Sequence, residues 1–215
     1  MGDAAHLLRR AGFGGSSKAV QDLYALGRDA AIDYLINYQA VPDPNWDRPN
    51  PLGLADPDED YWQATMTLLY RFLTSTRPLQ ARLTWFWHGH FTSALEAAGP
   101  KLMTRQINSW RTHADGSFRT FLLAMYKDGA MLRYLNGDPS TKDRPNENFA
   151  RENMELFTIG VGPYKEKDVR ESGRAFTGWE AGYPEPNVSF VSGAHDYGVP
   201  KPSSDVPATS TATTS

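Results

Sequence analysis

The chain has 215 residues, enough for one well-buried domain, with 40% hydrophobic and 12% aromatic content and six Trp to fill a core. A formal charge of −3 and no basic cluster argue against a nucleic-acid partner. The complete lack of cysteine excludes disulfides, thiolate nucleophiles and Cys-ligated zinc. No apolar run is long enough for a transmembrane segment. The start, MGDAAHLLRRAGFG, has no apolar h-region of a signal peptide, so the chain is either cytoplasmic or begins after a removed leader.

A short helix is expected over residues 4–10, ended by Gly12 and Gly14. Ser16 is placed to cap a second helix through Leu26, stopped by Gly27. Residues 28–38 continue as an amphipathic helix with Ala31, Ile32, Leu35 and Ile36 inward. Residues 1–40 thus read as an N-terminal helical subdomain. Residues 41–60, with Pro42, Pro44, Pro49, Pro51 and Pro57, read as a long irregular loop. Its acidic cluster, Asp56, Asp58, Glu59 and Asp60, fits a solvated loop with an N-cap; the EF-hand spacing is absent.

Residues 61–73 form the next predicted helix. Pro78 opens another, through Trp85, Phe86 and Trp87 to about Phe91. It is apolar nearly all round and is expected to be the central buried helix. Helices over 101–113, 117–126 and 130–135 follow, and Asn136-Gly137-Asp138-Pro139 is a turn. Helices over 146–160 and 167–176 complete the series. Strand alternation is scarce, with residues 188–191 the best candidate. The expected class is mostly α: a single multi-helix domain over residues 1–198 with little or no β. Residues 199–215 are Ser, Thr, Pro and Ala, a composition expected to be a disordered tail.

Chemistry is best sought in NENFARENMELFTIG, residues 146–160. At about 100° per residue, Phe149, Ala150, Met154, Leu156 and Phe157 share an apolar arc. Asn148, Arg151, Glu152 and Glu155 share the polar one. Two carboxylates at i and i+3 beside an amide and a guanidinium suit a hard cation, acid/base work, or an ion-pair network. Glu152 lies nearest the apolar boundary and is the carboxylate expected to be buried. The segment TWFWHGHF offers His88 and His90, which point about 200° apart on a helix and do not share one metal there. His90, at the end of an aromatic helix, is the better candidate to face a cleft. His195 and Asp196 form a third, weaker pair. Asp168, Arg170 and Arg174 form a charged stripe expected to be solvated or bridged to Glu155. No phosphate loop, nucleophile elbow, dinucleotide fingerprint or HExxH is present. The candidate set is Glu152, Glu155, His90 and Arg151 as catalytic groups and Asn148, His195 and Asp196 as ligand-binding groups. A divalent metal is the one cofactor this set suggests.

Taken together, HLLRRAGFG, TWFWHGHF, NENFARENMEL followed by TIGV, DVRESGRAFTGW and HDYG resemble the bacterial family known as domain of unknown function 1800, over residues 5–198. The resemblance implies a helical, exported and hence periplasmic or secreted protein, with a sulfatase-like family often encoded beside it as a candidate partner. It supplies no activity. It also implies a histidine where this chain has Phe157 and an apolar residue at Asn153. The end, VPKPSSDVPATSTATTS, departs from the family pattern and is expected to reflect truncation. Three functions follow as expectations: a metal-assisted hydrolase with a His/Glu site, a non-catalytic binding or assembly protein of the cell envelope using Trp46, Trp62, Trp110 and Trp179, or an inactive truncated fragment.

Overall fold

The helices begin where side chains can satisfy the free N–H groups of a first turn. Ser16 Oγ accepts from Ala19 N at 3.2 Å, Asp60 Oδ1 from Gln63 N at 2.8 Å, and Asn146 Oδ1 from Phe149 N at 3.0 Å. The computed structural model describes residues 1–54, 58–136, 139–182 and 187–198. Among them are α1 Gly2–Ala11, α2 Ser17–Ala25, α3 Arg28–Ile36, α4 Pro44–Asp47, α5 Tyr61–Thr74 and α6 Pro78–His90. Then come α7 Leu95–Ala98, α8 Pro100–Thr112, α9 Phe118–Met125, α10 Gly129–Tyr134, α11 Glu147–Glu155 and α12 Glu166–Ala175. The strands β1 Trp179–Ala181 and β2 Val188–Phe190 pair antiparallel, Glu180 opposite Ser189. The protein is a mostly α single domain, and residues 199–215 lie outside the described part.

Two apolar clusters hold the fold. The smaller joins α1, α2 and α3 through Ala4, Leu8, Leu23, Ala31 and Leu35. Ile36, expected inward, is exposed, because the helix stops there and a 3-10 turn buries Tyr38 instead. The N-terminal helices approach α6 closely: a Cβ on Gly12 would stand 2.8 Å from Pro78 Cβ. Phe13 then packs on Phe72 at 5.5 Å, bridging to the main core.

The main core centres on α8, not on α6. Leu102, Met103, Gln106, Ile107, Trp110 and Arg111 of α8 are all buried. On α6 the buried residues are Gln80, Ala81 and Thr84, whereas Trp85 and Phe86 are 45% and 58% exposed. The expectation of a central α6 fails because its small residues allow close approach to α8. Trp85 and Phe86 are left at the rim, while Trp87 packs on Phe91 and Phe121. α11 and α12 pack together where Gly173 faces the Asn146 carbonyl, with room for a Cβ only at 3.3 Å. Phe176 seals that contact edge-on to Phe149 at 5.1 Å.

The Pro-rich segment is more ordered than a surface loop. Pro44 occupies the first turn of α4, where its missing N–H costs nothing. Trp46 is buried, and Asp43 is entirely enclosed. Asp43 accepts from Arg111 Nη2 at 2.9 Å, Ser75 Oγ at 2.6 Å and Thr76 N at 3.1 Å. Arg111 lies over the Trp46 ring at 4.4 Å. Of the acidic cluster, Asp60 caps α5 and Glu59 pairs with Lys101 at 2.5 Å; Asp56 lies outside the described residues.

Candidate functional site

The end of α6 and the C-terminal half of α11 border a groove of about 640 Å³, closed on a third side by the end of α10. His90, Glu152, Tyr134, Thr92 and Phe157 line it. His90 reaches it because Phe91 behind it is wholly buried, which anchors the helix end. The His90 ring is bounded by Phe91 and Trp87, with centroids at 4.7 and 5.6 Å. His90 Nε2 stands 3.1 Å from the Phe157 carbonyl oxygen, an acceptor only, so Nε2 carries the proton and donates. The neutral ring is then left with its lone pair on Nδ1, the form suited to a base or a ligand.

Glu152 is half-buried and makes no hydrogen bond or ion pair among the described residues. Of the other polar residues of α11, Glu147 is exposed and the rest are engaged. Arg151 makes a two-pronged contact with Glu166, 3.0 and 2.7 Å, and a longer one with Glu155 at 3.8 Å. That hydrogen bonding holds the Glu166 carboxyl below the usual carboxylate range. Glu155 accepts from the Tyr164 hydroxyl, and this bond first, then burial, pushes the Tyr164 phenol up to about 12. Asn148 Nδ2 donates to the Leu135 carbonyl at 3.3 Å and ties α11 to α10. Asn153 is buried, its Nδ2 donating to the Phe149 carbonyl at 2.6 Å.

His195 and Asp196 serve a different place. His195 Nδ1 lies 2.8 Å from the Thr177 carbonyl, and Arg174 grips Asp196 at 2.8 and 3.2 Å. Together they fasten the segment after β2 to the end of α12, so Arg174 pairs with Asp196 and Glu171 rather than Glu155. Of the tryptophans, Trp46 and Trp110 are core, Trp179 packs on Phe190 at 5.1 Å, and Trp62 is 64% exposed. Among the described residues no three His, Asp or Glu side chains converge on a point that would hold a metal ion. Phe157, which is 3% exposed, puts a phenyl ring 6.2 Å from His90 where the resemblance places an imidazole.

The sequence reading did not anticipate a second buried polar set, Thr67, Arg71 and His88. Its one local signal is that Thr67 and Arg71 stand at i and i+4 on the face of α5 that also carries Ala64 and Leu68. Nor did it anticipate Asp128, which caps α10 and accepts from Gln106 Nε2 at 2.6 Å. Burial raises the Asp128 carboxyl to about 6 against the lowering effect of these bonds.

The family described as "Protein of unknown function (DUF1800)" matches residues 6–201. The chain belongs to the DUF1800 family. No curated protein matches this DUF1800 chain, and no solved structure does either. The groove beside His90 is formed by two of the segments that carry the DUF1800 resemblance, TWFWHGHF and NENFARENMEL.

Proposed function

We propose that this DUF1800 protein is an exported bacterial hydrolase whose working site is the groove between α6 and α11. One observation carries the reading: His90 and Glu152, far apart in sequence, line one groove, and Glu152 has no structural partner there among the described residues. His90 has the tautomer of a general base. Water attacks an ester carbonyl as His90 Nδ1 takes its proton. The Glu152 carboxylate offsets the charge of the imidazolium, which then returns the proton to the leaving alkoxide. Arg151 and Glu155 brace α11 in this scheme, and Asn148, His195 and Asp196 hold neighbouring elements in place. The metal-assisted form of the reading needs a third donor that the described residues do not supply, so no step is written through a metal.

Purified protein assayed on p-nitrophenyl esters tests this. Glu152→Gln and His90→Ala are expected to lower kcat by roughly 10²–10⁴-fold, Glu152→Gln with an unchanged thermal midpoint. Hydrolysis absent from the wild type, or equal in the variants, overturns the proposal.

The exposed Leu156, Ile159 and Val161, at 61%, 53% and 81%, favour a second reading. They lie on the turn after α11 and suit a non-catalytic binding or assembly protein of the cell envelope, with the sulfatase-like family as the partner the resemblance suggests. Co-purification lost on Val161→Asp, with no ester hydrolysis, would favour it. For either reading the location is periplasmic or secreted, supported by the resemblance. Among the described residues no helix is long and apolar enough to cross a membrane. Cell fractionation checks the location.

A further inference from the structure

The opposite side of α6 borders a separate cavity of about 440 Å³, lined by residues of α5, α6, α7 and α8. That size lies within the range of small-molecule pockets. Leu68, Leu95, Met103, Ile107 and Trp85 provide apolar walls. Thr67, Arg71 and His88 line it too, and Thr67 Oγ1, Arg71 Nε and His88 Nδ1 are each buried with no hydrogen-bond partner among the described residues. Such groups carry a desolvation penalty for as long as they stay unpaired.

Tyr38 Oη, Trp110 Nε1 and Arg111 Nη1 are likewise buried without a partner among the described residues, but only Thr67, Arg71 and His88 share one cavity. On α5, Thr65 and Thr74 turn their hydroxyls back to the carbonyls of Tyr61 and Tyr70, at 2.9 and 2.8 Å. Thr84 does the same to Gln80 at 2.7 Å. Thr67, though only 3% exposed, does not. His88 is clamped flat against Trp110, centroids 5.0 Å apart and planes at 18°, with Trp85 edge-on at 5.5 Å. Its ring is therefore held still while Nδ1 is left over. Arg71 spends Nη2 on the Arg48 carbonyl at 3.2 Å and keeps Nε.

We infer that this cavity is a binding site for an uncharged amphipathic molecule, with an apolar body against Leu68, Met103 and Ile107 and a carbonyl-type acceptor toward Thr67, Arg71 and His88. The acceptor follows from donor chemistry: a guanidinium Nε–H and a threonine O–H both donate, and the imidazole supplies either role. Neutrality follows from charge: Asp58 and Asp47 already offset Arg71, so a carboxylate would add a third negative group. Water at the three polar atoms would leave the walls of Leu68, Met103 and Ile107 uncovered, whereas an apolar body buries them. The site stands independently of the His90 groove.

Prodan, an uncharged naphthalene dye with one ketone, is a suitable probe of the full chain. Expected are saturable one-site binding, a blue-shifted emission and quenching of tryptophan fluorescence. Thr67→Val, of equal size, is expected to weaken binding roughly 3–10-fold, the loss of one hydrogen bond. Arg71→Met is expected to do the same. Ala64→Leu, which adds bulk to a lining position, should abolish binding while the circular-dichroism melt stays cooperative. Anionic anilinonaphthalene sulfonate should bind more weakly than prodan. Binding that does not saturate, survives Ala64→Leu, or is equal in wild type, Thr67→Val and Arg71→Met overturns the site. Tighter binding of the sulfonate overturns the uncharged class.

Discussion

Asp43 and Glu152 are both carboxylates near an aromatic wall, and they do opposite work. Asp43 lies in a Pro-rich stretch that looked like loop. It is fully enclosed and surrounded by donors from Arg111, Ser75 and Thr76. Glu152 lies on the helix that looked built for chemistry, half in solvent and unengaged. The contrast separates two uses of buried charge. A carboxylate whose acceptor sites are filled by its own chain is part of the scaffold. One left without partners beside a groove is free to meet something else.

The largest effect should come from breaking the Asp43 set. Asp43→Ala leaves the Arg111 guanidinium buried and unpaired. It is expected to cost about 3–5 kcal/mol in urea unfolding. Asp43→Val combined with Arg111→Met removes both charges and should recover much of that loss. A cost under about 1 kcal/mol for Asp43→Ala would put Asp43 in the same class as Glu152, and the contrast would collapse.

The next effect concerns pH and Asp128. Its folded-state carboxyl sits at about 6, above the ordinary value of 3.8, chiefly through burial. A raised acid favours the folded state most when protonated. Its contribution is therefore fully present below about pH 4 and is lost as pH rises through 6. The size is on the order of 1–3 kcal/mol, since the residue keeps some exposed surface. Unfolding free energies of wild type and Asp128→Asn, measured from pH 4 to 7, should diverge by that amount, the variant lacking the decline. Parallel curves would mean that the Asp128 carboxyl is as well solvated as a free one.

A smaller effect is expected at Glu152 itself. Glu152→Gln should change stability by less than about 0.5 kcal/mol, as for a surface site, while removing any activity of the groove. A large destabilisation would make Glu152 scaffold like Asp43. The smallest effect should come from Glu166→Gln, which breaks the exposed pair with Arg151. Its thermal midpoint should match wild type in moderate salt, where such pairs are screened.

How much could be read in advance depends on the range of the interaction. Ser16, Asp60 and Asn146 were legible as caps because a cap acts within three residues. Pro78 marked the start of α6 for the same reason. The face of α11 carrying Phe149 and Ala150 was legible from helical period; Glu152, expected to be buried, is half-buried at the rim of the groove. The place of α6 was not legible. Its composition looked central, but depth depends on which neighbours approach, and Ala81 and Thr84 drew α8 to the side away from Phe86. At the candidate site, helical spacing separated His88 from His90. It could not show that each borders a different pocket on opposite sides of α6.

From residues alone, then, came the helical class, the starts of the longer helices and the family, because periodicity, capping and motif order are local or nearly so. Tertiary structure decided the partners of each charge. Asp43 finds Arg111 across 68 positions of chain, and His90 meets the Phe157 carbonyl across 67. Pairings at such separations depend on how helices pack, and helix packing is set by the summed shape of many side chains rather than by any one stretch.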